Sequence, residues 1–313
     1  MNIVFMGTPD FAVESLSKIY EGGHNILAVV SQPDRPAGRS MKLMKTPVKV
    51  YAEEKKIKVY QPEKIRKDEE MYEILKNLKP DVIVVVAFGQ ILPQKILDIP
   101  KYGSINVHGS LLPKYRGAAP IQWSLINGEE ITGVTTMYMD AGMDTGDIIQ
   151  KLEVKIDEDD TFGTLYEKMK SAGGKLIVQT LEKIADGVVT RIKQPNEYTM
   201  APMIEKSMGN IDWTNSSTKI RNLIRGLNPM PGAYTSIDGE KIKIWRAEYT
   251  DIKKTDDVLP GTIIEANRKD GLLIATGDGV LEITEIQVPN SKIMLAKDYF
   301  NGHTISKGSL CSM

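Results

Sequence analysis

Cysteine and histidine are scarce in this chain. Its one cysteine, Cys311, has no partner within the chain, so no internal disulfide staples the fold, and a reducing cytoplasm suits it. The three histidines, His24, His108 and His303, are far apart in sequence, and with a single cysteine they offer no zinc-ligand spacing. No metal is expected. Glycine-rich phosphate loops are missing as well. After the first strand Gly7 stands alone until Gly22, which disfavours nicotinamide or flavin binding, and no Walker A pattern occurs. The longest apolar run, residues 82–88, is far short of a bilayer span. The opening Met1-Asn2-Ile3-Val4-Phe5-Met6-Gly7 lacks the basic start of a signal peptide. No membrane partner is therefore expected. Neither sign of charge dominates, with 40 Lys and Arg against 41 Asp and Glu, so a nucleic acid would have to be held by a local patch.

What is there describes an ordinary globular chain. It has 313 residues, 41% of them hydrophobic and 26% charged, a length that favours two domains with sizeable cores. Residues 2–6 read as a buried strand, a helical pattern with Phe11, Ala12, Leu16 and Ile19 on one side follows, and residues 25–31 read as a second buried strand. This is the β-α-β opening of a parallel sheet. Thr8 is placed as the helix N-cap, with Pro9 at the first helical position and Asp10 at the positive helix end. Residues 81–87 are apolar on both faces, hence central in the sheet. They run into Phe88, Gly89, Gln90, Ile91 and Leu92, at the C-terminal sheet edge where open α/β folds bind ligands; simple core packing is the other reading of that loop. A long amphipathic helix over residues 161–185 closes the first domain.

The connection over residues 32–50 carries Arg35, Arg39, Lys42, Lys45 and Lys49 against one acid, Asp34. Loops this long in compact domains tend to be functional or disordered, and a basic run is often no more than a solvated face. Composition does not choose between the two. Residues 188–206 change character, with Pro195, Pro202 and few periodic apolar residues, as an extended linker would. From Ala233 the text becomes short strands punctuated by Asp238-Gly239, Asp270-Gly271 and Asp278-Gly279, which are hairpin signals. The fold class that results is α/β: a Rossmann-like, mostly parallel sheet domain over 1–189, a linker over 190–206, and a small OB-like β-barrel over 207–313.

The chemistry gathers at residues 103–120. Ile105 and Val107 alternate with Asn106 and His108, which is strand spacing, so Asn106 and His108 share a face a short distance apart. Gly109 and Ser110 then end the strand. An amide beside an imidazole at a strand's end is suited to meeting a polarised carbonyl, whereas a lone histidine is more often a hydrogen-bonded core residue. Downstream, Asp140, Asp144 and Asp147 lie in a loop with two glycines that lacks EF-hand spacing and its closing Glu. Those glycines let the loop curl back so that Asp144 reaches His108. Asp140 and Asp147 read as surface-turn residues.

With Asn106-Val-His108-Gly-Ser-Leu-Leu-Pro113, Arg116-Gly-Ala-Ala-Pro120 and Asp144-Thr-Gly-Asp147 in hand, the chain resembles the 10-formyltetrahydrofolate-dependent formyltransferases. Gly7-Thr-Pro-Asp-Phe11, Gln32-Pro-Asp-Arg-Pro-Ala-Gly-Arg39, the linker and the C-terminal barrel extend the resemblance over essentially the whole chain. Within the family they point to the branch that formylates initiator methionyl-tRNA for translation initiation. The resemblance implies a catalytic trio of Asn106, His108 and Asp144. It implies folate contacts from Ser110, Leu111, Leu112 and Pro113, and a pterin pocket lined by Phe88, Gly89, Gln90, Ile91 and Leu92. It implies that Arg35, Arg39, Lys42 and Lys45 approach the tRNA acceptor end. Where the family loop commonly continues Gly-Lys-Lys-Leu, this chain reads Ser40-Met41-Lys42-Leu43. The implied partners are 10-formyltetrahydrofolate as co-substrate and methionyl-tRNA, in the cytoplasm and as a monomer. A sugar-nucleotide formyltransferase would keep the trio without needing the basic loop. A glycinamide ribonucleotide formyltransferase would lack the second domain, a formate-releasing hydrolase would use the same trio, and a pure RNA-binding protein would not need Asp144.

Overall fold

A computed structural model describes residues 1–37 and 41–312. Arg39 lies outside the described residues. The chain divides into two compact units, one of Met1–Pro120, Ile131–Lys155 and Tyr166–Ala201, the other of Ile121–Glu130, Ile156–Leu165 and Pro202–Met313.

The first unit opens with β1 (Asn2–Gly7), α1 (Asp10–Glu21) and β2 (Asn25–Val30). Pro9, not Thr8, is the N-cap of α1, and no side chain caps it. The Thr8 hydroxyl is used elsewhere, donating to the Phe88 carbonyl at 2.9 Å. A long-range bond to a neighbouring strand end has displaced the local cap that sequence alone suggests. There follow β3 (Arg35–Ala37), β4 (Lys42–Met44), α2 (Pro47–Glu54), β5 (Val59–Tyr60), α3 (Glu69–Leu78), β6 (Val82–Val86), α4 (Gln94–Leu97) and β7 (Ser104–His108). Then come, in chain order, β8 (Arg116–Gly117), α5 (Pro120–Ile126), which from Ile121 belongs to the second unit, β9 (Ile131–Tyr138), β10 (Ile148–Lys155), α6 (Phe162–Ala185), which from Tyr166 belongs to the first, and β11 (Met200–Ala201).

The main sheet has the order β10-β9-β7-β6-β1-β2-β5. Pairs from β5 across to β7 are parallel, and β9 and β10 add an antiparallel edge. All five residues of β6 are buried, as a strand covered on both faces must be. Helix α6 is tied to α1 by Tyr166, whose hydroxyl donates to Asp10 at 2.6 Å and accepts from the Phe11 amide at 3.0 Å. Burial, reinforced by the Asp10 carboxylate, pushes the Tyr166 phenol far above its usual range, so it remains a donor at any working pH.

The second unit contains α7 (Ser217–Gly226), β12 (Ala233–Ile237), β13 (Glu240–Tyr249), β14 (Ile263–Asn267), β15 (Gly271–Ala275), β16 (Val280–Gln287), β17 (Met294–Leu295) and α8 (Ala296–Tyr299). Its antiparallel sheet runs β12-β13-β16-β15-β14, with β17 on β16. Asp238 and Gly239, both at positive φ, turn β12 into β13, as the dipeptide signal requires. The core is mostly aliphatic and includes Ile220, Ile224, Ile244, Ile263, Ile274 and Ile283, together with Trp213.

Candidate active site

Strand β7 sits between β6 and β9; it pairs with β6 as far as Asn106 and with β9 through His108, which lies opposite Thr135. Asn106 and His108 project from the same face. The Asn106 amide makes no side-chain hydrogen bond among the described residues, so its donor is available to a ligand. His108 is buried, 6% exposed, and its Nε2 lies 2.9 Å from the Tyr115 carbonyl. A carbonyl only accepts, so Nε2 carries a proton in every ionisation state, and Nδ1 is the nitrogen left for chemistry. That Nδ1 is 3.6 Å from Oδ2 of Asp144. The loop after β9 thus curls back onto His108, as its glycines allow. At Gly146 a side chain would drive a Cβ to 1.7 Å from the Tyr138 carbonyl oxygen, so only glycine lets the loop lie this close.

Asp144 is fixed from two sides. Its Oδ2 accepts from the Gly117 amide at 2.8 Å. Its backbone carbonyl, and that of Gly146, each accept from Nε2 of Gln194 at 2.8 Å. Gln194 is in turn held through Oε1 by Arg116, at 3.1 Å from Nε and 2.7 Å from Nη2. Gly117 adopts φ +123° and approaches the Ala201 carbonyl where β8 pairs with β11. Gln194, Thr199 and β11 fall within 190–206, the segment that composition presents as a linker. Up to Ala201 it lies against the first unit. The sequence signal for Gln194 was weak: one glutamine in a polar stretch, with partners far away in the chain.

The remaining predicted residues divide. Ser110 and Leu112 are fully buried. The Ser110 hydroxyl donates to the Lys114 carbonyl at 2.6 Å, and Thr135 bridges the Ser110 carbonyl and the Leu112 amide. Leu111 packs over Gly133, and the Leu112-Pro113 bond is cis. The loop beside the trio is therefore rigidly built. Phe88 and Leu92 turn into the core with Val4, Met6, Ile83 and Ile96. The Gln90 side chain is spent on the Ile65 amide and the Pro62 carbonyl. What this loop offers outward is Ile91, 72% exposed, together with Gly89 and backbone.

The basic connection is a β-hairpin, with Arg35 opposite Met44 and Ala37 opposite Lys42. Arg35, Lys42 and Lys45 are exposed; Lys45 pairs with Glu53 at 2.6 Å and Arg35 approaches Glu63 at 3.5 Å. Lys49 instead turns inward to Asp34 at 2.6 Å and to Gln61. Burial alone would raise the Asp34 carboxyl, but hydrogen bonds from Lys49 and Gln61 outweigh it and lower the carboxyl below its usual range. In the second unit a small cavity of about 70 Å³ is lined by Arg221, Arg225 and Arg246. Arg221 and Arg246 already face Asp159 and Glu248, so this cluster is neutralised internally. Among the described residues no cluster of metal-ligating side chains occurs, and no helix is long and apolar enough to cross a membrane.

A strand end that presents a free amide donor beside a histidine–carboxylate pair has the donors and the proton acceptor that acyl transfer can use. Residues 1–181 match the Formyl transferase family, and residues 203–304 match Formyl transferase, C-terminal domain; the chain belongs to the formyl transferase family and is a formyl-transferring enzyme. The chain is 54% identical over 309 residues to the methionyl-tRNA formyltransferase of Clostridioides difficile (strain 630), covering 98% of this chain and 99% of that one. Among solved structures, HypX from Aquifex aeolicus in complex with tetrahydrofolic acid superposes with TM-score 0.65 at 16% identity; the alignment covers 99% of this chain but only 50% of HypX. An N-formyltransferase from Helicobacter canadensis, in complex with folinic acid and dTDP-3-aminofucose, gives 0.64 at 23% identity, over 90% of this chain and 98% of that one. At these identities the two structures speak for the fold.

Proposed function

We propose that this enzyme transfers the formyl group of 10-formyltetrahydrofolate to the α-amino group of methionyl-tRNA, giving N-formylmethionyl-tRNA. The observation that carries the mechanism is the unpartnered Asn106 amide beside the His108–Asp144 pair at 3.6 Å. The amine attacks as the free base, and α-amino groups have pKa near ~8, so a fair fraction is neutral at working pH. Attack forms the new carbon–nitrogen bond and a tetrahedral oxyanion. Asn106 donates to that oxygen, and His108, when protonated, donates through Nδ1, which lies 3.6 Å from the Asp144 carboxylate. A fixed donor of this kind is worth about 3 to 4 kcal/mol in acyl transfer. The amine's surplus proton passes to Asp144, directly or through water, and the departing folate nitrogen takes up one proton as the old carbon–nitrogen bond breaks. No metal enters any step.

On this reading the folate lies along Ser110, Leu111, Leu112 and Pro113 and against the exposed edge of residues 88–92, with Ile91 and backbone making the contact. The hairpin reaches the acceptor end with Arg35, Lys42 and Lys45, and Arg39 belongs to the same basic set. Met41, Leu43 and Met44, all more than half exposed, give the hairpin an apolar edge beside its charges, suited to an unpaired, stackable end of RNA. We place the enzyme in the cytoplasm as a monomer. The test is formyl transfer from labelled 10-formyltetrahydrofolate to charged initiator methionyl-tRNA, with an amino-sugar nucleotide as acceptor in parallel. Label on the tRNA is expected. Label on the sugar alone overturns the acceptor assignment while leaving the trio in place.

A further inference from the structure

We infer that Gln194 is a positioning residue for the Asp144 carboxylate, so that the segment after α6 is a working part of the active site. The inference rests on the reading of Asp144 as the group that accepts the amine's proton. Asp144 adopts φ +54°, in the left-handed region that non-glycine residues avoid, at a cost on the order of 1 kcal/mol or more. Such a conformation persists only where its surroundings over-determine it. Here the Gly117 amide holds the carboxylate, and one side-chain amide holds the backbone. Gln194 Nε2 donates to the carbonyls of both Asp144 and Gly146 at 2.8 Å, which clamps the backbone at Asp144 and immediately after it.

The orientation of that amide is itself determined. Arg116 has donors only, and the two loop carbonyls accept only, so Oε1 must face Arg116 and Nε2 must face the loop. Arg116 is 7% exposed, and its guanidinium lies 4.4 Å from the Tyr198 ring centroid. It faces no carboxylate within ion-pair distance among the described residues. A buried guanidinium without a carboxylate is costly, and the Gln194 amide oxygen and the Tyr198 ring are the groups that offset that cost here. The same segment reaches the other half of the site. Thr199 accepts from the Tyr115 amide at 2.8 Å, and the Tyr115 carbonyl is the partner of His108 Nε2. Residues 194–199 therefore fix both members of the His108–Asp144 pair without touching the reacting atoms.

The experiment uses the full chain with Gln194→Ala, Gln194→Glu and Asp144→Asn, singly and combined. Gln194→Glu keeps the size of the side chain and its contact with Arg116 but replaces the donor to the two carbonyls by an acceptor, so it serves even where the alanine variant fails to fold. Turnover is expected to fall by about 100-fold in Gln194→Glu, the loss typical of a catalytic group displaced by an ångström, while KM for both substrates stays within about twofold. In the Asp144→Asn background, Gln194→Glu should cause no further loss, because it acts through that carboxylate. Turnover of Gln194→Glu within about threefold of the parent, or an undiminished further loss on top of Asp144→Asn, overturns the inference. A rise in KM with turnover unchanged also overturns it, since that is a binding role. Near-normal turnover of Asp144→Asn alone overturns the carboxylate assignment, and the inference falls with it. Loss in Asp144→Asn without loss in Gln194→Glu leaves that assignment standing and removes only the clamp.

Discussion

Replacing Asn106 by alanine separates a catalytic amide from a structural one, because the structure assigns the amide no hydrogen-bonding duty in the fold. Its side chain makes no hydrogen bond among the described residues and is not fully buried. Its removal leaves no stranded donor or acceptor, and substitutions of that kind fall within about 0.5 kcal/mol. For a domain of this size that is a change in Tm of under about 2 °C. Turnover should respond very differently. Losing one fixed donor to a developing oxyanion costs about 100- to 1000-fold in kcat, or about 3 to 4 kcal/mol. Asp144→Ala provides the contrast: it strips the acceptor from the Gly117 amide, held at 2.8 Å. Gly117 is half-buried, so the stranded donor costs about 1 kcal/mol, the low end of the range for a buried one, and Tm should drop by a few degrees alongside activity. Asp144→Asn keeps an oxygen for Gly117 and should lose turnover without that drop. The assay is single-turnover formylation of methionyl-tRNA with saturating folate, paired with thermal melts followed by circular dichroism. Asn106→Ala with kcat within about tenfold of the parent, or with a melt lowered as far as that of Asp144→Ala, would refute the reasoning.

Three further outcomes are expected. Gly117→Ala places a Cβ 2.7 Å from the Ala201 carbonyl oxygen at φ +123°, so it should lower the denaturant midpoint by the equivalent of about 2 kcal/mol or more and cut kcat with it; an unchanged midpoint in a urea titration counts against the β8–β11 geometry. Arg35→Ala combined with Lys42→Ala should flatten the salt dependence of tRNA binding by roughly one log–log unit per lost phosphate contact, measured by filter binding across a salt series; an unaltered slope would place the RNA elsewhere. Burial pushes the Cys311 thiol up to about 12. Because the folded state disfavours the thiolate, alkylation at pH 8 should be slow in the native protein and fast in denaturant, as mass spectrometry can follow; rapid native labelling would contradict it.

Much of the catalytic edge was legible in the linear text. Residues 104–108 alternate at strand spacing, and that alternation suffices to put Asn106 and His108 on one face. The apolar β6, the helical pattern of α1 and the Asp-Gly turns of the second unit are local signals, and locally strong. Where local reading failed, a distant partner had intervened. Thr8 gave up its capping role to the Phe88 carbonyl, 80 residues on. Lys49, one of five basic residues in a run, turned inward because Asp34 and Gln61 meet it there. The hairpin over β3 and β4 was missed because strands of three residues, one with a proline, carry no readable period.

By itself, then, the sequence determined most of the longer elements, the parallel core, the family's motif residues and the absence of disulfide, dinucleotide and phosphate-loop signatures. Each of these depends on neighbours along the chain or on residue types alone. Tertiary structure decided which nitrogen of His108 remains free, how Asp144 is held in an unfavourable backbone conformation, and that the Gln194 amide meets the Asp144 loop. Those depend on hydrogen bonds set by how the chain folds back on itself, from His108 to Tyr115, from Gly117 to Asp144 and from Gln194 to Asp144. A polar glutamine in an apparent linker has the same composition whether it faces water or two loop carbonyls, and only the folded chain distinguishes them.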